Sequence, residues 1–185
     1  MTKIVISGYY GFANAGDEAM LAALIGSLKD LMPQAEITVI TGNSQLTREN
    51  HHVRTVHRLN LPGIAAALSR SDLLISGGGS LLQDVTSTRS LYYYLLIMRM
   101  ALFFHVPVML YAQGIGPVRQ PKARAAVRKV LQRVQMVSVR DKDSKGELER
   151  MGVTKPPIHV TADAVLSIHP ADTKVGYYLL KQAGI

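Results

Sequence analysis

The chain contains no cysteine, which excludes disulfides and thiolate metal sites and fits a reducing cytoplasm. It also lacks any uninterrupted apolar run of the about eighteen residues that a membrane-spanning helix needs. Met1-Thr2-Lys3 leads straight into a strand pattern, without the basic start and apolar core of a signal peptide. A soluble, cytoplasmic protein is expected. The histidines at 51, 52, 57, 105, 159 and 169 show no metal-ligand spacing, and no Ser-His-Asp arrangement is visible. Neither a bound metal nor acyl transfer is expected. Aromatic–basic interleaving of the RNA-binding kind is missing too, so no nucleic-acid partner is expected. Two nucleotide motifs are absent as well. Gly8, Gly11 and Gly16 do not fit the dinucleotide spacing, and no lysine-bearing P-loop follows Gly77-Gly78-Gly79. This argues against NAD and against nucleoside triphosphatase chemistry.

What is present is a basic chain of ordinary globular composition. Its 185 residues suffice for one domain with a full core and are short for two. The formal net charge of +8 suggests an anionic partner, such as a phosphorylated small molecule or an acidic membrane surface.

Strand and helix patterns alternate throughout. Ile4-Val5-Ile6 reads as a strand, residues 19–32 as a helix closed by Pro33, and residues 36–41 as a second strand. Residues 44–52 read as a loop or short exposed helix, 53–57 as a third strand and 62–70 as a helix. Residues 72–76 make a buried strand, 91–105 a strongly apolar helix and 108–111 a strand. Then come a basic helix (122–133), a strand (136–139), a helix (143–151) and a short strand (158–161). Such alternation implies an α/β fold with a Rossmann-like parallel sheet flanked by helices. Residues 1–170 are expected to form this domain, and 171–185 to begin a linker or second domain.

Two glycine-rich turns follow strands, where ligands bind in open α/β sheets. The first is Gly8-Tyr9-Tyr10-Gly11-Phe12-Ala13-Asn14-Ala15-Gly16-Asp17-Glu18. Its tyrosines offer faces for a sugar ring, and its two carboxylates suit a hydroxyl-rich acceptor better than a phosphate. Asp17 reads equally as a proton acceptor and as a plain helix N-cap. The second is Gly77-Gly78-Gly79-Ser80, followed by Leu81-Leu82-Gln83-Asp84. Consecutive glycine N–H groups and a following helix start would suit an anion, against the plainer reading of a tight packing turn.

Arg140 ends the strand Ser138-Val139 and is a candidate anion grip, or else a structural partner of Asp141 or Asp143. Arg89 is a weaker candidate of the same kind. Gln113-Gly114-Ile115-Gly116-Pro117 offers an amide and further backbone donors at the same rim. Lys122, Arg124, Arg128, Lys129 and Arg133 suggest a positive helix face, lying on anionic lipid headgroups or merely solvated. Residues 91–105 read as core, with Tyr92-Tyr93-Tyr94 pointing in several directions.

Taken together with Ser138-Val139-Arg140-Asp141 and Asp163-Ala164-Val165, these motifs resemble the polysaccharide pyruvyl transferase family, most closely its CsaB-type enzymes of Gram-positive bacteria. The resemblance runs in order along almost the whole chain. It implies the N-terminal half of a GT-B-like two-domain fold, with the active site in the cleft between domains and the second domain missing here. It implies transfer of pyruvate from phosphoenolpyruvate, without a cofactor, to a β-linked N-acetylmannosamine on a lipid-linked secondary cell-wall polysaccharide precursor. The resulting ketal would anchor surface-layer proteins. The enzyme would work at the inner face of the cell membrane, in peripheral contact with anionic lipid. Asp17 and Arg140 become the catalytic candidates. Gly8, Tyr9, Tyr10, Gly11, Asn14, Gly16, Gly77, Gly78, Gly79, Ser80, Gln83, Asp84, Arg89, Gln113, Gly114 and Gly116 become the substrate-binding ones. The isolated 185-residue chain would be inactive, and its oligomeric state is left open. A GT-B glycosyltransferase using a nucleotide sugar is the rival enzyme. A non-catalytic carbohydrate- or anion-binding Rossmann module is the rival of another class.

Overall fold

The computed structural model describes residues 1–168 and 173–184. His169, Pro170, Asp172 and the domain boundary expected at residue 170 lie outside the described residues. The strands are β1 (Lys3–Ser7), β2 (Glu36–Thr41), β3 (Arg54–His57), β4 (Leu73–Gly77), β5 (Val108–Gln113), β6 (Met136–Val139) and β7 (Ile158–Val160). They form one sheet in the order β3-β2-β1-β4-β5-β6-β7, every neighbouring pair parallel. The helices are α1 (Ala15–Leu31), α2 (Ser44–His51), α3 (Leu61–Leu68), α4 (Thr88–Phe103), α5 (Pro121–Leu131), α6 (Lys142–Arg150) and α7 (Thr173–Gln182).

The apolar runs Ile4-Val5-Ile6 and Leu74-Ile75 are continuous because their strands are covered on both faces. Side chains alternate faces along a strand. Ile4 and Ile6 therefore pack with Leu21, Leu24, Ile25 and Leu28 of α1. Val5, between them, joins Ile64 and Leu68 of α3 and the buried stripes of α4 and α5. Full burial of each such side chain stabilises by about 1.5–3 kcal/mol.

The sheet lies between these two layers, and β1 sits beside both β2 and β4. The strand order reverses there, so the loops after β1 and β4 diverge and leave a crevice at the carboxyl edge.

Of the two readings of residues 44–52, the short helix is the one that forms. Residues 44–51 form α2 because the Asn43 side chain caps it, accepting from the Leu46 N–H. The expected positive face of residues 122–133 is divided. Arg124 turns to Glu147 and the Val118 carbonyl, and Arg128 lies against Gly152. The tyrosines of α4 do diverge: Tyr94 is buried, Tyr93 half-buried and Tyr92 exposed. Among the described residues no helix is long and apolar enough to cross a membrane.

Candidate active site

The first glycine turn leaves β1 at Ser7 and enters α1 at Ala15, four residues before the apolar pattern begins. The cap explains the early start. Asn14 has extended backbone (φ −83°, ψ 110°), and its Oδ1 accepts from the N–H groups of Gly16 (3.0 Å) and Asp17 (3.3 Å). Asn14, and not Asp17, is thus the N-cap, and its amide oxygen serves the helix. Tyr10 also departs from expectation. It is 1 % exposed, and its hydroxyl donates to the Gly77 carbonyl at 2.9 Å, so its ring is core and offers no face to a sugar. Gly8 lies against that ring. Tyr9 remains available: it is 40 % exposed and stacks on Phe12, with centroids 4.4 Å apart. Glu18 Oε1 accepts from the Gly11 N–H at 2.7 Å, which pins the turn to the helix it precedes.

The second glycine turn is not followed by a helix start. Residues 80–87 run as a loop, with an isolated bridge between Leu82 and Ile115, and α4 begins only at Thr88 behind the Ser87 cap. Nor do the turn's donors converge on open space. The Gly78 N–H meets the Tyr111 carbonyl at 3.3 Å, and the Gly79 N–H meets the Met20 sulfur at 3.2 Å. The anion cradle expected there is therefore not formed. Gly77 and Gly78 are buried under Tyr10 and Met20. Asp84 is spent on structure: its carboxylate accepts from the backbone N–H groups of Arg119 (2.9 and 3.0 Å) and Gln120 (2.8 Å). Those bonds, Gln120's first, hold its carboxyl below the usual range. Gln83 accepts from the Thr86 N–H through Oε1.

Between the two turns lies a cavity of about 380 Å³, lined by Tyr9, Asp17, Ser80, Gln83, Ser90 and Tyr94 among others. Among the described residues Asp17 is the only carboxylate that lines it. Among the described residues no group hydrogen-bonds to that carboxylate. Partial burial, and secondarily the neighbouring Glu18, raise its pKa above the ordinary aspartate value. A raised carboxylate is the better base toward a hydroxyl.

A second cavity of about 260 Å³ adjoins, lined by Ser80, Gly114, Gly116, Arg140 and Arg150 and also by the carboxylates of Asp141, Asp143 and Glu147. Ser80 belongs to both. Arg140 sits at the carboxyl end of β6, with Nη2 3.3 Å from Ser80 Oγ, Nη1 3.3 Å from Asp163 Oδ2 and Nε 3.5 Å from Asp141 Oδ2. Its guanidinium rests on Gly114, where a β-carbon would stand 2.9 Å from Cζ, so only glycine admits this placement. Asp141 is chiefly the N-cap of α6, accepting from the Ser144 N–H at 2.7 Å. Of the two structural partners expected for Arg140, Asp141 is within reach and Asp143 is not, and Asp163 is a further one.

The remaining candidates at this rim are structural. Gln113 belongs to β5 and is 0 % exposed; its amide donates to Ser76 Oγ at 2.9 Å, beneath the rim instead of at it. The Gly114 and Gly116 N–H groups go to the carbonyls of Gly79 (3.1 Å) and Leu82 (2.9 Å). Arg89 is exposed on the first turn of α4 and lines neither cavity.

Sequence reading overlooked Ser90, Tyr94 and Arg58. Ser90 and Tyr94 stand one helical turn apart on α4, a spacing that was there to be read. Arg58 follows β3, and its guanidinium lies 5.2 Å from the Phe12 ring centroid and 4.8 Å from that of Tyr93. That brackets the aromatic wall of the first turn with a cation. Its position just past a strand end was the available signal. Among the described residues no group of three or more His, Asp or Glu could hold a metal ion.

A doubly wound parallel sheet with adjoining cavities along its carboxyl edge defines a Rossmann-like, GT-B-like domain. Solved structures agree on the fold. A Staphylococcus aureus MnaA–UDP structure superposes with a TM-score of 0.54 at 12 % identity, covering 96 % of this chain and 50 % of that one. A Neisseria meningitidis UDP-GlcNAc 2-epimerase bound to UDP-GlcNAc gives 0.55 at 15 % identity, covering 100 % and 52 %. The chain thus spans about half the length of either structure. No curated protein matches its sequence. The sequence model for polysaccharide pyruvyl transferases matches residues 14–180, and the chain belongs to that transferase family.

Proposed function

We propose that the protein transfers pyruvate from phosphoenolpyruvate to an N-acetylmannosamine of a lipid-linked secondary cell-wall polysaccharide precursor, forming a ketal and releasing phosphate. Family membership supports pyruvyl transfer to a polysaccharide. The observation that carries the site assignment is the junction at Ser80. A cavity holding the Asp17 carboxylate, which has no hydrogen-bond partner among the described residues, meets one holding the Arg140 guanidinium. A neutral polyol and a small polyanion need those two environments side by side.

In this reading an acid protonates the methylene carbon of the enol phosphate, and C2 becomes cationic in character. An acceptor hydroxyl adds to C2 as its proton passes to Asp17. A second hydroxyl then displaces phosphate and closes the ring. Asp17 relays its proton to the departing phosphate, and the proton of the second hydroxyl restores the acid. Arg140 holds the phosphate or carboxylate of the donor and offsets its charge. Tyr9 supplies an apolar face for the acceptor sugar. Among the described residues no histidine or lysine lines either cavity. The acid is therefore assigned to the second domain of a two-domain protein, and the chain alone is expected to be inactive.

The test is phosphate release from phosphoenolpyruvate by the full-length protein with a lipid-linked N-acetylmannosaminyl acceptor. Acceptor-dependent release together with a mass gain of the product supports the reading. No release, alongside nucleotide release from a UDP-sugar, would replace it with glycosyl transfer. Saturable acceptor binding with no turnover of either donor would leave a carbohydrate-binding module.

A further inference from the structure

The net charge of this protein is not spread over it. Residues 85–140 contain nine lysines and arginines and no carboxylate, whereas the remaining twelve cations are outnumbered by thirteen carboxylates. The whole positive excess therefore lies in the segment that builds α4, β5, α5 and β6. Part of it serves the site and its surroundings, through Arg140 and through Arg124, which pairs with Glu147. Another part, Arg99, Lys129 and Arg133, gathers around a groove that the site does not use.

That groove runs between α4 and α5, which pack side by side. Two adjoining cavities of about 320 and 410 Å³ make it up, sharing Leu96, Arg99 and Arg133. On α4 the residues Tyr92, Leu96, Arg99 and Phe103 follow one another at intervals of four, three and four, which is one helical face. Ala126, Lys129 and Arg133 repeat the interval on the facing side. The floor is apolar: Leu95, Leu102 and Val130 line it. At its end Phe103 is 75 % exposed, with its ring edge-on to Phe104 at 5.3 Å. Arg99, Lys129 and Arg133 make no ion pair among the described residues. An exposed aromatic, an apolar floor and three unpaired cations without a nearby carboxylate on either helix combine the two attractions of an interfacial lipid site.

From this arrangement we infer that the α4–α5 groove docks on the surface of an anionic phospholipid bilayer. Phe103 and Leu96 enter the headgroup–acyl boundary, and Arg99, Lys129 and Arg133 meet lipid phosphates. Charge complementarity selects this occupant over a second copy of the chain, because a symmetric pairing of the groove would set like cations against each other. The inference concerns a face separate from both cavities and does not depend on the pyruvyl-transfer reading. It places the groove at a bilayer, where the proposed acceptor would also reside.

Co-sedimentation with vesicles tests it, using vesicles that contain no saccharide acceptor. The protein should sediment with phosphatidylcholine vesicles containing phosphatidylglycerol, stay in solution with pure phosphatidylcholine, and be released by high salt. Lipid phosphate attraction weakens about fivefold for each cation removed near the surface. Arg99→Glu with Lys129→Glu should therefore lower the apparent affinity at least about 25-fold. Arg70→Glu with Lys155→Glu makes the same change in net charge away from the groove and should lower it far less. Phe103→Ser should weaken binding with no change of charge, and circular dichroism of each variant checks its fold. Absence of binding to the anionic vesicles would overturn the inference. So would equal losses in the two double variants, since bulk charge would then be the cause. Concentration-dependent dimerisation abolished by Phe103→Ser, without vesicle binding, would overturn it in favour of a self-interface.

Discussion

The carboxylate of Asp17 lies so close over Gly79 that a β-carbon there would stand 3.0 Å from Oδ1. The first turn of α1 is thereby laid directly on the second glycine turn, and the two strand-end loops form one wall. Gly79 also has φ +64°, a conformation that side chains other than glycine resist. Gly79→Ala is expected to lower stability by about 1–2 kcal/mol in urea unfolding and to displace Asp17. Gly26, in the exposed interior of α1 with nothing near its would-be β-carbon, gives the contrast. Gly26→Ala should raise stability by about 0.5–1 kcal/mol.

Tyr10 holds the same wall from below. Tyr10→Phe would keep the ring but leave the buried Gly77 carbonyl without its donor. A loss of about 1–3 kcal/mol is expected by chemical denaturation. A variant as stable as the parent would show that the carbonyl finds another partner.

Asp17 should give stability a characteristic pH dependence. Its folded pKa is raised, so the native state holds this proton more tightly than the unfolded chain does. The contribution is complete below the ordinary aspartate pKa and is lost as pH rises through the folded value. Asp17→Asn should therefore be more stable than the parent at neutral pH, with the difference closing under acid. The same variant should lose turnover if Asp17 receives the hydroxyl proton. Denaturation midpoints across pH, paired with kcat, separate the two roles.

Asp84 has the opposite sign. Its folded pKa is depressed by the Gln120 and Arg119 N–H groups, so its stabilisation is present above the ordinary aspartate pKa. That stabilisation disappears as pH falls through the lower folded value. Asp84→Ala should destabilise the protein at neutral pH and flatten the acid limb of its stability curve.

Arg140 is expected to act through the donor. Arg140→Ala should lower kcat/KM for phosphoenolpyruvate about 10- to 100-fold, the worth of a charge-assisted hydrogen bond. Arg140→Lys should recover only part of this, because an ammonium cannot span Ser80 and Asp163 as the planar fork does. An unchanged kcat/KM would leave Arg140 as a brace between Asp141 and Asp163.

What the sequence determined by itself was the alternation of strands and helices. Apolar runs such as Ile4-Val5-Ile6 and the helical periodicity from Met20 to Leu28 are local, and the polypeptide expresses them locally. The two glycine turns and Arg140 were legible as strand-end features for the same reason. Only the tertiary structure decided which of their groups face the crevice. Tyr10 and Tyr9 are neighbours of one residue type in one turn, yet a carbonyl 67 residues away takes the first into the core and leaves the second in the cavity. The glycine N–H groups, the Asp84 carboxylate and the Gln113 amide were all plausible ligand contacts until backbone and side-chain partners distant in the chain were found to occupy them. Buried or bound polar groups must be satisfied within the fold, and the partners that satisfy them come from sheet order and loop packing. Asp17 and Arg140 remain candidates because among the described residues no group hydrogen-bonds to the Asp17 carboxylate, and Arg140 borders open space beside Ser80.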